Sequence, residues 1–486
     1  MSMYRLLIFI FSIFPVALFA INLPVHKEVL KNGLTVLLHP NKQAPTVSCR
    51  LFYVTGSVHE VPGESGLAHM LEHELFKGTK KVGILDSVKD AQFMHEEDSL
   101  QALIRPLKLT GDTAEVKRLT AIHDSILNVH RQIFVKDELW AAYQEAGGTG
   151  LNAFTTDLMT AYIVTLPKNR VELFLWLESD RMQNAVLREF YSERDVIREE
   201  RRMRYDDRPA GRYYETLNSM IYEAFPYRVP TIGWASDIEN LTREQTENHY
   251  HKYYKPRNAI LVLAGDLDTT ATMKLIKEYF ESIPAGEAFP PITIRDPEQA
   301  GEKRLEIWRP DAPNMLNLVF KTPAVGDESL YALDIVEGVL NGRSGRLYKR
   351  LVEEEKLAVS VGASNSPNKY VSEFSIRVNL QPNADPARVE KILWEELEKL
   401  QKEPVSPRDF QKVKNSSYAS TVRSLIDMEN VATNLAWYEM FGDYHIFLNW
   451  ADHLDSVTPP MVQEASKQTF VHKKATLGLL LKGEEK

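Results

Sequence analysis

The sequence predicts an α+β fold of two tandem, homologous α/β-sandwich units joined by a linker. The chain has 486 residues, 44% of them hydrophobic and 26% charged, which is enough for two or three domains with separate cores. A strand–loop–strand pattern near the start of the chain returns in its second half. Each half also ends in a short apolar strand, so the simplest interpretation is one structural unit present twice.

The repeated pattern is clearest in its strands. Residues 34–38 and 46–54 are apolar runs separated by a polar loop that contains prolines, which predicts two strands. Residues 303–325 repeat this arrangement. The closing strands are predicted at 258–266 and 475–483, each after a stretch with a helical pattern.

These repeats divide the chain into segments. The first unit is predicted at 21–285 and the second at 302–486, with a linker at 286–301 that is rich in proline and polar residues. Residues 80–145 are strongly charged and have apolar positions at helical spacing, which predicts a mostly helical insertion in the first unit.

Residues 1–20 differ in composition from the rest of the chain. Arg5 precedes an apolar stretch that ends at Ala20, a pattern typical of a secretory signal peptide. We therefore expect an exported protein with no stable membrane anchor after cleavage; an uncleaved anchor is the alternative, although the apolar run is short for a bilayer span.

Charge and cysteine content exclude other classes of protein. The net charge is −9 and no long run of one sign occurs, so we expect no nucleic-acid partner. Cys49 is the single cysteine, so the chain cannot form an internal disulfide.

The sequence HMLEH contains His69, Glu72 and His73. On a helix, residues four apart lie within about 40° of one face, so the two imidazoles could bind one metal ion with the glutamate beside them. Ser65 is a plausible N-cap for this helix. Three apolar residues could hold the helix against the core: Leu67, Met70 and Leu71.

Chance explains this triplet poorly, since the chain has only 13 histidines. The alternative is two partly exposed histidines that flank a solvated glutamate. The order His-x-x-Glu-His is the one used by inverzincin metallopeptidases.

The surrounding segments extend the comparison over nearly the whole mature chain. They are GSVHEVPGESGLAHMLEHELFKGT, LNAFTTDLMTAY, SERDVIREERRMR and YKPRNAILVLAGDLD, in this order. Together they resemble the pitrilysin/insulinase metallopeptidase family, in particular a two-domain, zinc-bearing subunit of the processing-peptidase type. The resemblance implies a mixed, largely antiparallel sheet with helices on one face in each unit. It also implies peptide substrates and, as is typical of the family, a periplasmic location.

The resemblance further implies a ligand set for one Zn²⁺ per chain. Glu200 matches the third ligand beside His69 and His73, and Glu193 matches an acid that supports the site. Because seven residues make almost two helical turns, both carboxylates share one helix face. The implied chemistry is peptide hydrolysis by a metal-activated water, with Glu72 as the general base.

Asn152 and Ala153 match an Asn-Ala-x-Thr strand whose edge is thought to pair with an extended substrate. Such pairing grips the main chain and tolerates many sequences. A purely structural turn is an equally open interpretation for Asn152.

The second unit lacks the corresponding metal residues. Alignment through Gly78 and Gly342 places apolar or acidic residues at the three motif positions: Leu333, Val336 and Glu337. Val352 and Val359 stand where the resemblance would place an Arg and a Tyr that bind substrate and the developing oxyanion. We therefore expect a related non-zinc chain to supply this pair in a heterodimer, with a homodimer as the alternative.

Three functions remain open from the sequence. The first is a zinc metallopeptidase. The second is a non-catalytic, peptide-binding or scaffold subunit of the same fold. The third is a protein in which zinc is only structural, although a closed structural site would need a fourth protein ligand.

Overall fold

The structure is a computed structural model that describes residues 23–289 and 291–484. The predicted signal peptide, residues 1–20, lies outside the described residues. Within the described residues, no helix has the length and apolar character needed to span a membrane.

The sheet of the first half has six strands. They are β1 (His26–Val29), β2 (Thr35–Pro40), β3 (Thr46–Tyr53), β4 (Thr149–Thr155), β5 (Thr160–Pro167) and β6 (Ala259–Gly265). Their spatial order is β1-β2-β6-β3-β5-β4, and all neighbours are antiparallel except β2 and β6. β4 therefore lies at one end of this sheet.

The sheet of the second half has five strands in an equivalent arrangement. They are β7 (Lys303–Arg309), β8 (Met315–Thr322), β9 (Ala358–Ser366), β10 (Ser372–Leu380) and β11 (Ala475–Lys482). The order is β7-β11-β8-β10-β9, with β7 and β11 parallel and the other neighbours antiparallel. The predicted fold class, with two mixed and largely antiparallel sheets, is confirmed.

The first half also contains a set of α-helices. They are α1 (Leu67–Glu74), α2 (Ser87–Thr110), α3 (Thr113–His130), α4 (Glu138–Glu145), α5 (Val171–Asn184), α6 (Phe190–Arg201), α7 (Pro209–Ile221), α8 (Ala235–Asn240), α9 (Arg243–Tyr253) and α10 (Thr269–Phe280). α2 and α3 form an antiparallel hairpin within the segment that the sequence predicted to be helical. Asp86 and Asp112 accept hydrogen bonds from first-turn N–H groups and cap these two helices.

The second half contributes a further set of helices. They are α11 (Glu328–Leu340), α12 (Arg346–Tyr348), α13 (Pro386–Lys402), α14 (Pro407–Ser424), α15 (Met428–Phe441), α16 (His445–Leu448), α17 (Trp450–Ser456) and α18 (Pro459–Thr469). α18 packs on both α11 and α13, and these helices and the second sheet share a separate apolar core.

The halves exchange one helix each. α15 of the second half packs on β3 and β6, and α7 of the first half packs on β7 and β11. Val431 and Leu435 of α15 are fully buried in a core cluster shared by both halves. The Asn317 side chain donates to the Tyr213 hydroxyl at 2.8 Å across the same boundary. Each sheet is thus covered on its second face by the other half, which the sequence did not indicate.

Candidate metal centre

Helix α1 begins differently from the prediction. Gly66, with φ of 95°, is the N-cap, and a Cβ there would lie 2.7 Å from the Ile232 carbonyl oxygen. The Glu60 carboxylate accepts from the N–H groups of Gly66 and Ala68, both at 2.8 Å. The prediction of Ser65 as N-cap is wrong, because its hydroxyl donates instead to Asp237 at 2.6 Å.

One face of α1 is packed into the core. Leu67, Met70 and Leu71 are at most 2% exposed, as their spacing predicted. The Tyr162 hydroxyl donates to the Leu71 carbonyl at 3.3 Å from strand β5. The helix is therefore held by the sheet along its apolar face, and the histidine-bearing face is turned towards α6.

Three predicted side chains converge between α1 and α6. Nε2 of His69 lies 3.8 Å from Oε2 of Glu200, and Nε2 of His73 lies 3.6 Å from the same oxygen. Possible ligand atoms of the three residues all lie within 4.8 Å of one another. This juxtaposition joins two segments with 126 residues between His73 and Glu200.

The donor set fits a zinc ion. Two imidazole nitrogens and one carboxylate oxygen are ligands of catalytic zinc, which takes three protein ligands and keeps one position open. Ligand atoms around tetrahedral zinc are about 3.3 Å apart, given bonds of about 2.0 Å. The 3.6 Å and 3.8 Å separations are close to that value.

Burial favours the neutral form of one of these histidines. His69 is 9% exposed, and burial lowers its pKa to about 3. A neutral imidazole is the form that binds a metal. Nδ1 of His69 is buried without a hydrogen-bond partner in the described residues.

His73 is oriented from its other ring nitrogen. Nδ1 lies 2.8 Å from Oε1 of Glu193, and Oε2 of Glu193 lies 2.6 Å from Nζ of Lys77. Burial opposes ionisation of Glu193, but the hydrogen bond from His73 and the charge of Lys77 prevail and lower its pKa to about 2. A carboxylate behind a ligating histidine fixes the ring and its tautomer. Glu193 therefore contacts the ring nitrogen of His73 that does not face Glu200.

Glu72 has a partner that the sequence analysis missed. The Thr155 hydroxyl, at the end of β4, donates to Oε2 of Glu72 at 2.6 Å. Burial raises the pKa of Glu72, and this hydrogen bond and the charge of His73 oppose the shift. A carboxylate with a raised pKa is suited to general-base catalysis near neutral pH. The two residues are 83 positions apart, so no local pattern could have predicted the pair.

Glu200 is held by a salt bridge on its outer oxygen. Nη2 of Arg204 lies 2.9 Å from Oε1 of Glu200, in a π-helical turn that continues α6. The other carboxylate oxygen, Oε2, faces the two histidines. Glu199 pairs with Arg202 and has a half-exposed side chain, so it points away from the site as its helical position predicts.

Buried arginines anchor the end of α1. Nε of Arg181 donates to the Leu75 carbonyl at 3.1 Å, and Nη1 of Arg188 donates to the Lys77 carbonyl at 3.2 Å. The sequence analysis also missed Lys77. Its position four residues after His73 was the available signal, because a continuous helix would place the two side chains on one face.

The predicted substrate residues lie on β4. Asn152 pairs in register with Ile163 and is exposed, whereas Ala153 pairs with Tyr162 and is 8% exposed. The same strand carries Thr155, so this end of the sheet adjoins Glu72.

The second half has different residues at the corresponding helix. Leu333 and Val336 of α11 are fully buried, and Glu337 accepts from the Asn365 N–H at 2.9 Å. Within the described residues, the second half contains no group of three metal-ligand side chains. Val352 lies half-buried and Val359 is 59% exposed.

The fold and the site define a class of protein: a two-unit α+β chain with a His–His–Glu group in its first unit. Residues 35–90 match the family model described as insulinase (peptidase family M16), and residues 240–417 match the peptidase M16 inactive domain. Parts of both halves of the chain thus match models of the insulinase (M16) peptidase family. The predicted resemblance is confirmed.

Several proteases are similar to this chain over most of its length. The zinc protease PqqE of Helicobacter pylori is 28% identical over 432 residues, which cover 87% of this chain and 85% of the relative. A crystal structure of a protease from Helicobacter pylori has a TM-score of 0.79 and 25% identity, covering 94% of this chain and 99% of that one. The periplasmic protease PqqL of Escherichia coli has a TM-score of 0.71 and 18% identity, with 94% and 48% covered.

Proposed function

We propose that this chain is an exported zinc metallopeptidase that hydrolyses peptides or unfolded segments. The observation that carries the proposal is the convergence of His69, His73 and Glu200 from two distant segments of the chain. The names of the relatives, which include a zinc protease, support the same reaction class.

In this proposal His69, His73 and Glu200 hold the ion, and Glu193 keeps His73 in its ligating orientation. A bound zinc would supply a Lewis acid for the scissile carbonyl and lower the pKa of a water molecule. Glu72 is not one of these three residues, so its carboxylate would accept a proton from the attacking water and donate it to the leaving amine. Thr155 orients this carboxylate through the hydrogen bond that its hydroxyl donates to Oε2.

Substrate binding is proposed along β4. This strand ends the first sheet, so its outer edge can pair with an extended peptide. The exposed position of Asn152 agrees with a contact to such a peptide. Main-chain pairing would give broad sequence tolerance.

We also propose a partner chain and a periplasmic location. The apolar residues Val352 and Val359 stand at the positions of the expected Arg and Tyr, so a related chain would supply this pair in a heterodimer, or other donors would serve in a homodimer. The signal-like composition of residues 1–20 supports export, and PqqL, a protease of similar fold, is periplasmic.

The test compares the mature chain with its Glu72→Gln variant. We expect both to retain zinc, and the variant to lose peptide cleavage by about 100-fold or more, because it lacks a general base. Zinc content and chelator-sensitive cleavage are measured for the chain alone and with a candidate partner. Equal cleavage by wild type and variant would remove Glu72 from the mechanism. Metal binding without cleavage under every condition would favour the non-catalytic alternative.

A further inference from the structure

Five charged residues form a network buried between the α2–α3 hairpin and the rest of the first half. The members, here called the buried ionic network, are each at most 2% exposed: Asp90, Glu97, His130, Arg188 and Arg243. None of them belongs to the metal centre described above. Buried charges persist when each is paired and hydrogen-bonded, so the positions of the members depend on one another.

His130 lies at the centre of the network. Its Nε2 is 2.9 Å from Oδ1 of Asp90, and its Nδ1 is 2.8 Å from Oε1 of Glu97. A neutral imidazole has one N–H, so donation to two carboxylates requires the imidazolium form. The rings of Phe93 and Phe134 lie 5.0 Å and 4.6 Å from the imidazole. His130, the last residue of α3, therefore links its own helix to Asp90 and Glu97 of α2.

The two ends of the network leave the hairpin. Nε of Arg188 is 2.9 Å from Oδ2 of Asp90, and Nη2 of Arg243 is 2.9 Å from Oε2 of Glu97. Arg243 is the first residue of α9, and Arg188 precedes α6 by two residues. Asp98, half-exposed, also pairs with Arg243 at 3.1 Å. Both elements that flank the hairpin are thus connected to His130.

Arg188 connects the network to the loop that follows α1. Its guanidinium donates to three carbonyl oxygens of that loop: Lys77 at 3.2 Å, Thr79 at 2.5 Å and Val82 at 3.2 Å. A Cβ on Gly78 would lie 3.3 Å from Nη1 of Arg188, so the glycine allows this close approach. One buried cation therefore determines the path of residues 77–82.

Lys77 completes the connection to the metal centre. Its ammonium pairs with Glu193 at 2.6 Å, and Glu193 hydrogen-bonds to His73. Direct contacts therefore run from His130 through Asp90 and Arg188 to the backbone of Lys77. From Lys77 they continue through Glu193 to a proposed ligand.

We propose that His130, Asp90 and Arg188 are positioning residues for the metal centre, so that the helical hairpin holds Lys77 where it orients Glu193 against His73. This inference rests on the proposed function and gives the insertion a role in it. The residues themselves contact neither the ion nor the substrate. Loss of one member leaves buried carboxylates with fewer partners, so the Lys77 loop is expected to shift.

The experiment compares His130→Gln with His123→Gln. Both histidines are buried on α3, but His123 contacts Asp124 at 3.5 Å and is not part of the network. The readouts are zinc affinity by chelator competition, the visible absorption spectrum of the cobalt-loaded chain, and the melting temperature. For His130→Gln we expect zinc affinity to fall about threefold to tenfold, less than for a residue that contacts a ligand directly, and the cobalt spectrum to change. His123→Gln should bind zinc with an affinity within about twofold of wild type and should keep the wild-type cobalt spectrum.

A second variant separates positioning from folding. Asp90→Asn keeps the shape of the side chain but removes its charge, and it is expected to change the cobalt spectrum in the same direction. Folded His130→Gln and Asp90→Asn proteins with wild-type zinc affinity and cobalt spectrum would overturn the inference, even if both melt at lower temperature. If the wild-type chain itself bound neither metal, the proposed function would fail and this inference with it.

Discussion

Replacement of Glu193 tests how much this carboxylate, which is not one of the proposed ligands, contributes to zinc affinity through its hydrogen bond to His73. Glu193 makes two charge-assisted contacts, at 2.8 Å to His73 and at 2.6 Å to Lys77. Hydrogen bonds of this type contribute about 1.5–3 kcal/mol each. Only the bond to His73 acts on the ion directly, so Glu193→Ala should weaken zinc binding by one to two powers of ten, about 1.4–2.7 kcal/mol. Glu193→Gln keeps an acceptor without the charge and should lie near the lower value.

The assay is competition for zinc against a chromogenic chelator at constant pH and ionic strength. Glu199→Gln is the matched control, because it lies on the same helix with a half-exposed side chain and pairs with Arg202. It should bind zinc like wild type, whereas Glu200→Ala should bind far more weakly. If Glu193→Ala held zinc as tightly as wild type while Glu200→Ala did not, His73 would not depend on Glu193 for its orientation.

Three further predictions concern stability. Gly78→Ala should destabilise the chain by about 2 kcal/mol or more in urea unfolding, because φ is 105° and the new Cβ would lie 2.3 Å from the Val82 oxygen. Leu435→Ala should destabilise it by about 2–5 kcal/mol, because this fully buried side chain joins the two halves. Burial lowers the pKa of His130, but the hydrogen bonds to Asp90 and Glu97 outweigh it and raise the pKa above the usual value. Its folded form therefore binds the proton more tightly than the unfolded form, and the stability that wild type has over His130→Gln should shrink as pH rises above about 6.5.

Each of these predictions has a control. Gly342 also has a positive φ, 78°, but no atom lies within 4 Å of the new Cβ, so Gly342→Ala should cost only the backbone strain, about 1 kcal/mol. Leu109, 82% exposed, should tolerate alanine with little change. Equal losses for Gly78→Ala and Gly342→Ala would contradict the steric argument. A pH-independent difference between wild type and His130→Gln would contradict the charged state assigned to His130.

Local spacing predicted several elements correctly. The apolar spacing of Leu67, Met70 and Leu71 indicated the buried face of α1. The four-residue spacing of His69 and His73 placed both histidines together on a different face. Alternating and continuous apolar runs predicted β2, β3, β7 and β8 to within a few residues. Such patterns are properties of neighbouring residues, so a single sequence contains them.

Contacts between distant residues were not accessible in this way. Glu60, and not Ser65, caps the start of α1, because its carboxylate in the preceding loop accepts hydrogen bonds from the first N–H groups of the helix. The identification of Glu200 and Glu193 came from family resemblance, since helical spacing alone could not say which carboxylate faces the histidines. Thr155 was part of the Asn-Ala-x-Thr match, but no local pattern indicated that it would pair with Glu72.

The sequence by itself determined the repeated unit, the His-x-x-Glu-His pattern and the resemblance to a peptidase family, because these follow from periodicity and from motifs within short segments. Only the tertiary structure decided the exchange of α7 and α15 between the halves, and the connection of the α2–α3 hairpin to Lys77. Those features depend on which apolar face and which buried charge meet in space. Hydrophobic periodicity indicates that a face will be buried, but the partner that covers it is selected by the packing of the whole chain.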